Sequence, residues 1–76
     1  MTANLPRITT AETIKALRRA GFQLVRQSGS HKIFRNAQGR RVTVPYHAKK
    51  ILHPKILAYI LRDADLSVEE LRELLR

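Results

Sequence analysis

Seventy-six residues without a cysteine fit a single domain, 1–76, that must rest on packing alone. Disulfides, thiolate zinc sites and cysteine nucleophiles are excluded together, and a chain of this size buries only about 60% of the surface it exposes when unfolded. Fifteen Lys+Arg against six Asp+Glu give a formal charge of +9, and no apolar run suits a membrane span or a signal peptide, so a cytoplasmic protein without a membrane partner is expected.

The first eight residues, 1–8, read as an extended lead-in, because Pro6 fixes its own backbone and pushes Leu5 out of helical geometry. Thr9 and Glu12 have the spacing of a capping box. Ala11, Ile14, Leu17 and Ala20 then share a face, and Gly21 supplies the left-handed residue that ends a helix, so a helix is predicted over 10–20. From Phe22 to Gln27 the period becomes two, with Phe22 and Leu24 on one side and Val25 on the other, and Ser28-Gly29 is a turn. His31 to Arg35 forms a second strand ending at Asn36-Ala37-Gln38-Gly39, a connection typical of a hairpin. Arg40 to Val44, β-branched at its end, forms a third strand that Pro45 stops. Tyr46 to His53 has no period and reads as a loop.

Pro54 suits the first position of a helix, where its missing N–H costs nothing. Ile56, Leu57, Ile60, Leu61 and Ala64 make the stripe of a helix packed on a sheet. Ser67 and Glu70 repeat the capping-box spacing, and Val68, Leu71 and Leu75 line a last short helix within a C-terminal extension, 67–75. The order is α-β-β-β-α plus that helix: an α+β fold with a three-stranded antiparallel sheet, helices on one face and the other face open to a ligand.

Charge is unevenly placed. No acid occurs between Glu12 and Asp63, a stretch carrying Lys15, Arg18, Arg19, Arg26, Lys32, Arg35, Arg40, Arg41, Lys49, Lys50, Lys55 and Arg62. A block of that length is hard to obtain from scattered surface charge, and its field draws polyanions, above all nucleic acid, through phosphate contacts and counterion release.

Histidine is the default group for proton transfer near neutral pH, and the chain has three. His31 follows a turn in which Gly29 lets the backbone approach a ligand and Ser30 offers a hydroxyl. The residues leave two readings open for it, a solvated side chain at a strand start or an acid-base group. Strand alternation puts Arg35, and not Lys32, on its face. His47, with Lys49 and Lys50 behind it, is either solvated loop or a helper in phosphate binding, and His53 is most simply part of a helix start. Gln27, Arg40 and Arg41 are either solvated side chains beside the sheet or binding residues, arginine being suited to bidentate phosphate contact. Phe22, Phe34 and Tyr59 are assigned to the core, and Tyr46 is the one aromatic expected in a loop. The histidine spacings match no metal-ligand pattern and no carboxylate lies near them, so neither a metal site nor a cofactor is expected. Two-metal phosphodiester cleavage needs carboxylates to hold its ions. RNA permits another route, since its own 2′-hydroxyl attacks phosphorus once a base removes the proton while cations stabilise the developing charge.

Leu5-Pro6, Gly21-Phe22, Arg26-Gln27-Ser28-Gly29-Ser30-His31, Gly39-Arg40-Arg41-Val42-Thr43-Val44-Pro45, His47, Ile60-Leu61-Arg62 and Leu66-Ser67 with Glu70, in this order, closely resemble the HicA-type mRNA interferase toxins of bacterial type II toxin–antitoxin systems. The resemblance implies a double-stranded-RNA-binding-domain-like fold, mRNA cleavage, inhibition of translation and neutralisation by a HicB-type antitoxin. It also implies that His31 is catalytic. The chain departs from the family pattern at His53-Pro54-Lys55, where many members have Gly-Thr, and at Asp65, where they have glycine; Asp65 is thereby asked for a conformation that glycine takes more easily. The expected function is that of a metal-independent ribonuclease toxin, with Gln27, Ser30, Lys32, Arg35, Arg40, Arg41, His47, Lys49 and Lys50 as RNA contacts. The rivals are a non-catalytic RNA-binding module of the same fold and an interaction protein whose basic surface serves an acidic partner.

Overall fold

A computed structural model describes residues 5–47 and 49–76. Of the lead-in expected over 1–8, residues 1–4 lie outside the described residues. The elements are α1 (Thr10–Arg19), β1 (Gln23–Ser28), β2 (His31–Arg35), β3 (Arg41–Pro45), α2 (Pro54–Ala64) and α3 (Val68–Leu74). The strands form one antiparallel sheet in the order β1-β2-β3, as expected for the α+β arrangement.

Local chemistry sets the helix ends. Thr9 and Ser67 both close capping boxes, each side chain accepting from the backbone of Glu12 or Glu70 while that glutamate accepts from the cap residue's own N–H. The ends of α1 and α2 are built alike. Phe22 N–H reaches back to Leu17 and Leu66 N–H to Leu61, each at 2.9 Å, around a residue of positive φ. In α1 that residue is Gly21, and in α2 it is Asp65 at φ 57°, the conformation its position demanded.

The core joins Leu17, Phe22, Phe34, Val42, Val44, Leu57, Ile60, Leu61 and Leu71 between the sheet and the helices. Phe34 and Val42 are paired neighbours on the inner face, with Val44 two residues on. The helical cover does not extend across the sheet: all six residues of β1 are exposed. Leu24, opposite Phe34, is 38% accessible. Two side chains expected in the core lie elsewhere. Tyr59 is exposed, with the Arg62 guanidinium 5.1 Å above its ring, because it follows the solvent side of the stripe that buries Leu57, Ile60 and Leu61. Ile56 also stays outside that stripe.

The stretch expected to be an unpatterned loop has an anchor. Thr9 and Ile51 form an antiparallel bridge, Leu52 N–H donates to Ile8 at 2.9 Å, and Thr10 N–H donates to the Lys50 carbonyl at 3.1 Å. The segment before α1 thus pairs with the segment before α2, a contact between residues about forty apart that no local pattern signals. It brings the N-termini of both main helices beside the end of β3.

Candidate nucleic-acid interface

Gly29, at φ 59°, closes the tight β1–β2 turn, and Ser28 and His31 face each other across it. His31 is the first residue of β2 and is exposed, held between Ser28 of β1 and Pro45 of β3 in the same row. Its imidazole has no hydrogen-bond partner among the described residues. Ser30 helps fix the turn from the other side, its carbonyl accepting from Tyr46 N–H.

Register sorts the remaining candidates onto two faces. His31, Ile33 and Arg35 point to the open face with Arg41, Thr43 and Pro45, while Lys32 and Gln27, which oppose each other, point to the helix side. There Lys32 Nζ sits 4.0 Å over the ring of half-buried Tyr46, and Gln27 Nε2 donates to the Gly29 carbonyl at 3.2 Å. His47, Lys49 and Lys50 are exposed beyond the end of β3. The candidates therefore divide: Gln27, Ser30, His31 and Lys32 gather at the turn end of the β1–β2 hairpin with His47, Lys49 and Lys50 near the end of β3, while Arg35, Arg40 and Arg41 lie at the opposite end of the sheet.

Arg26 is the residue that alternation misplaces. Simple alternation puts it with Leu24 on the helix side, but the pairing shifts between Leu24, opposite Phe34, and Arg26, opposite Ile33. The extra residue is Val25, and such a bulge re-aims the side chains beyond it. Arg26 is turned onto the open face, where with Val25, Arg35, Gly39 and Arg41 it lines a depression of about 290 Å³. A bulge leaves no mark in a six-residue strand read alone, so only the pairing reveals this third guanidinium.

Arg35 and Arg41 lie directly opposite each other. Like charges so placed destabilise a sheet by up to roughly 1 kcal/mol. Neither arginine, nor Arg26, has a hydrogen-bond or ion-pair partner among the described residues. Other arginines are engaged: Arg19 donates to the Leu74 and Arg76 carbonyls at 2.7 Å, and Arg40 to the Asp63 carbonyl at 2.9 Å. Both satisfy C-terminal carbonyls of helices, where cations are favoured. A face with three unpaired guanidiniums and an imidazole at one end suits a phosphodiester chain.

Among the described residues no group of three or more His, Cys, Asp or Glu is placed to hold a metal ion. No described helix is long and apolar enough to cross a membrane.

A family model described as HicA toxin of bacterial toxin-antitoxin matches residues 10–66, from the start of α1 through the turn after α2. The chain belongs to the HicA toxin family. It is accordingly a toxin of a toxin–antitoxin pair. No curated protein matches the chain. The matched span contains the whole sheet and both main helices, so His31, the arginine face and the anchored segment before α2 all lie within the HicA unit.

Proposed function

We propose that this HicA toxin is a metal-independent endoribonuclease that cleaves mRNA and so stops translation. The observation that carries the reading is the position of His31 at one end of an open sheet face bearing Arg26, Arg35 and Arg41 without a neighbouring carboxylate. Arginines fix the phosphates on either side of the scissile bond and stabilise the negative charge that builds on phosphorus. His31 takes the proton from the 2′-hydroxyl, the 2′-oxygen–phosphorus bond forms, and the phosphorus–5′-oxygen bond breaks as the leaving oxygen takes a proton from water. Family membership supports the toxin role, and an antitoxin of the HicB type, covering the basic face with acidic or strand-edge surface, is its natural inhibitor.

Incubating purified protein with RNA in EDTA, beside a His31→Ala variant, tests this. The variant is expected to lose about 10²- to 10⁴-fold in rate. Equal cleavage by both proteins removes His31 from the mechanism. A non-catalytic RNA-binding role has one observation in its favour, since no described residue orients the His31 ring. Salt-dependent RNA binding with no cleavage by either protein selects that role. A toxin–antitoxin complex that cleaves RNA at the full rate contradicts the proposed inhibition.

A further inference from the structure

The anchored segment before α2 leaves a cavity of about 290 Å³ beside the end of β3, walled by Pro45, Ile51 and Ile56 and lined also by His47, Lys50 and His53. Its volume lies at the lower edge of ligand pockets, roughly 300–1,000 Å³, which suits one planar base and excludes a duplex. No carboxylate lines it. Ile51 and Ile56 are 46% and 38% accessible, apolar surface that packing within the chain leaves uncovered. The bridge between Thr9 and Ile51 holds one wall in place without a ligand. Pro45 connects the cavity to the candidate site, because it is the direct cross-strand partner of His31 and shares its face.

His53 supplies a directed polar group. As the N-cap of α2 it accepts the Lys55 N–H at Nδ1, at 3.1 Å. An imidazole whose Nδ1 accepts carries its proton on Nε2, so the ring has one fixed donor left to offer. His53 and Lys50 both line the cavity, so its lining combines side chains that carry donors with apolar walls, the complement of a base edge rich in acceptors and a flat π-face.

We propose that this cavity is a base-recognition subsite that takes one unpaired nucleobase of the RNA held at His31, with His53 as the residue that reads its edge. The inference rests on the ribonuclease reading and adds a source of sequence preference to it. Pro45 and Ile56 sandwich the base, His53 Nε2–H and Lys50 Nζ donate to its acceptors, and the adjoining phosphate passes toward the imidazole of His31.

The test uses the His31→Ala protein, which binds without cutting, and labelled single-stranded hexanucleotides of A, C, G or U. Tight and weak homopolymers are expected to differ at least about fivefold in Kd, and His53→Ser or Ile56→Ser to weaken the best one about tenfold and flatten the ranking. Serine keeps an oxygen to accept the Lys55 N–H, so a role for His53 in capping alone predicts no change in His53→Ser. The slope of log K against log salt should stay constant, since no phosphate contact is removed. Absence of base discrimination in the parent, or an unchanged ranking in both variants, overturns the subsite. So does a weakening that is uniform across bases and lowers the salt slope, which marks a phosphate contact. Variants that keep the RNA ranking but lose affinity for the antitoxin make the cavity a protein-docking groove and overturn the subsite too. If the parent binds RNA with salt dependence and wild type cuts it in EDTA, any of these failures belongs to the subsite alone. If neither occurs, the ribonuclease reading fails and the subsite falls with it.

Discussion

The two edge strands of the sheet are almost equal in length and differ in nearly everything else. β3 buries Val42 and Val44 completely under the helices, whereas β1 buries none of its residues. The cause lies in the connections that flank each strand. After β3 the chain is tied to the segment before α1, and this tie draws α2 onto the sheet. β1 is bounded by a short connection from α1 and by the Gly29 turn, and it carries a bulge at Val25. Cohesion accordingly belongs to β3, the Phe34 side of β2 and the helices, while β1 hangs on its backbone ladder with β2. Elements held that way are the ones that open locally at low cost and carry function without weakening the whole.

The sharpest way to break this comparison is within β2, which belongs to both regions. Phe34 is fully buried and His31 is exposed, three positions earlier and on the opposite face. Phe34→Ala is expected to cost about 3–5 kcal/mol, close to the whole stability of so small a domain. His31→Ala should remain within about 0.5 kcal/mol of wild type. Urea unfolding of both variants decides it, and comparable losses would refute the division of the sheet into a cohesive and a functional edge.

Replacing Arg35 and Arg41 together by glutamine should lower the slope of log K against log salt for RNA binding by about 2. The same change removes a like-charge cross-strand pair, so the melting temperature should hold or rise slightly. A destabilised double variant would mean that these arginines belong to the structural set with Arg19 and Arg40.

Thr9 belongs to the cohesive side, as the cap of α1 and one half of the bridge to Ile51. Thr9→Ala should cost about 1 kcal/mol, and amide exchange should speed up at Leu52, whose N–H bonds to Ile8 beside that bridge. Faster exchange in β1 instead would show that the two edges are coupled.

The smallest effect is expected at Asp65, which takes at the end of α2 the left-handed conformation that Gly21 takes at the end of α1. Asp65→Gly should stabilise by less than about 1 kcal/mol, the relief of the positive φ being partly offset by a freer unfolded chain. A thermal melt checks the sign. A clear loss would mean that the Asp65 carboxylate contributes more than its backbone strain costs.

Much of this chain is legible without its structure. Capping boxes, the Gly21 and Gly29 turns, Pro54 at a helix start and the alternation of β2 and β3 each depend on residues within about four positions of one another, a range over which backbone preference decides. Gly-Ser-His stands out for the same reason: the turn and the imidazole are contiguous. Other features required distant parts of the chain to meet. Only pairing with β2 exposes the bulge that turns Arg26 outward. Only the packed helix ends show that Arg19 and Arg40 serve carbonyls, a use that sequence cannot separate from phosphate binding because both acceptors are anionic or carry partial negative charge. The cavity at His53 is lined by Thr10, Pro45 and residues before and in α2, which meet beside the pairing of Thr9 with Ile51. Sequence by itself therefore determined the order of the elements, the starts of the helices and the position of the proposed catalytic histidine, since each is a local choice of backbone conformation. Tertiary structure decided which cations stay unpaired and which apolar residues stay uncovered, because satisfaction and burial depend on contacts between residues far apart in the chain.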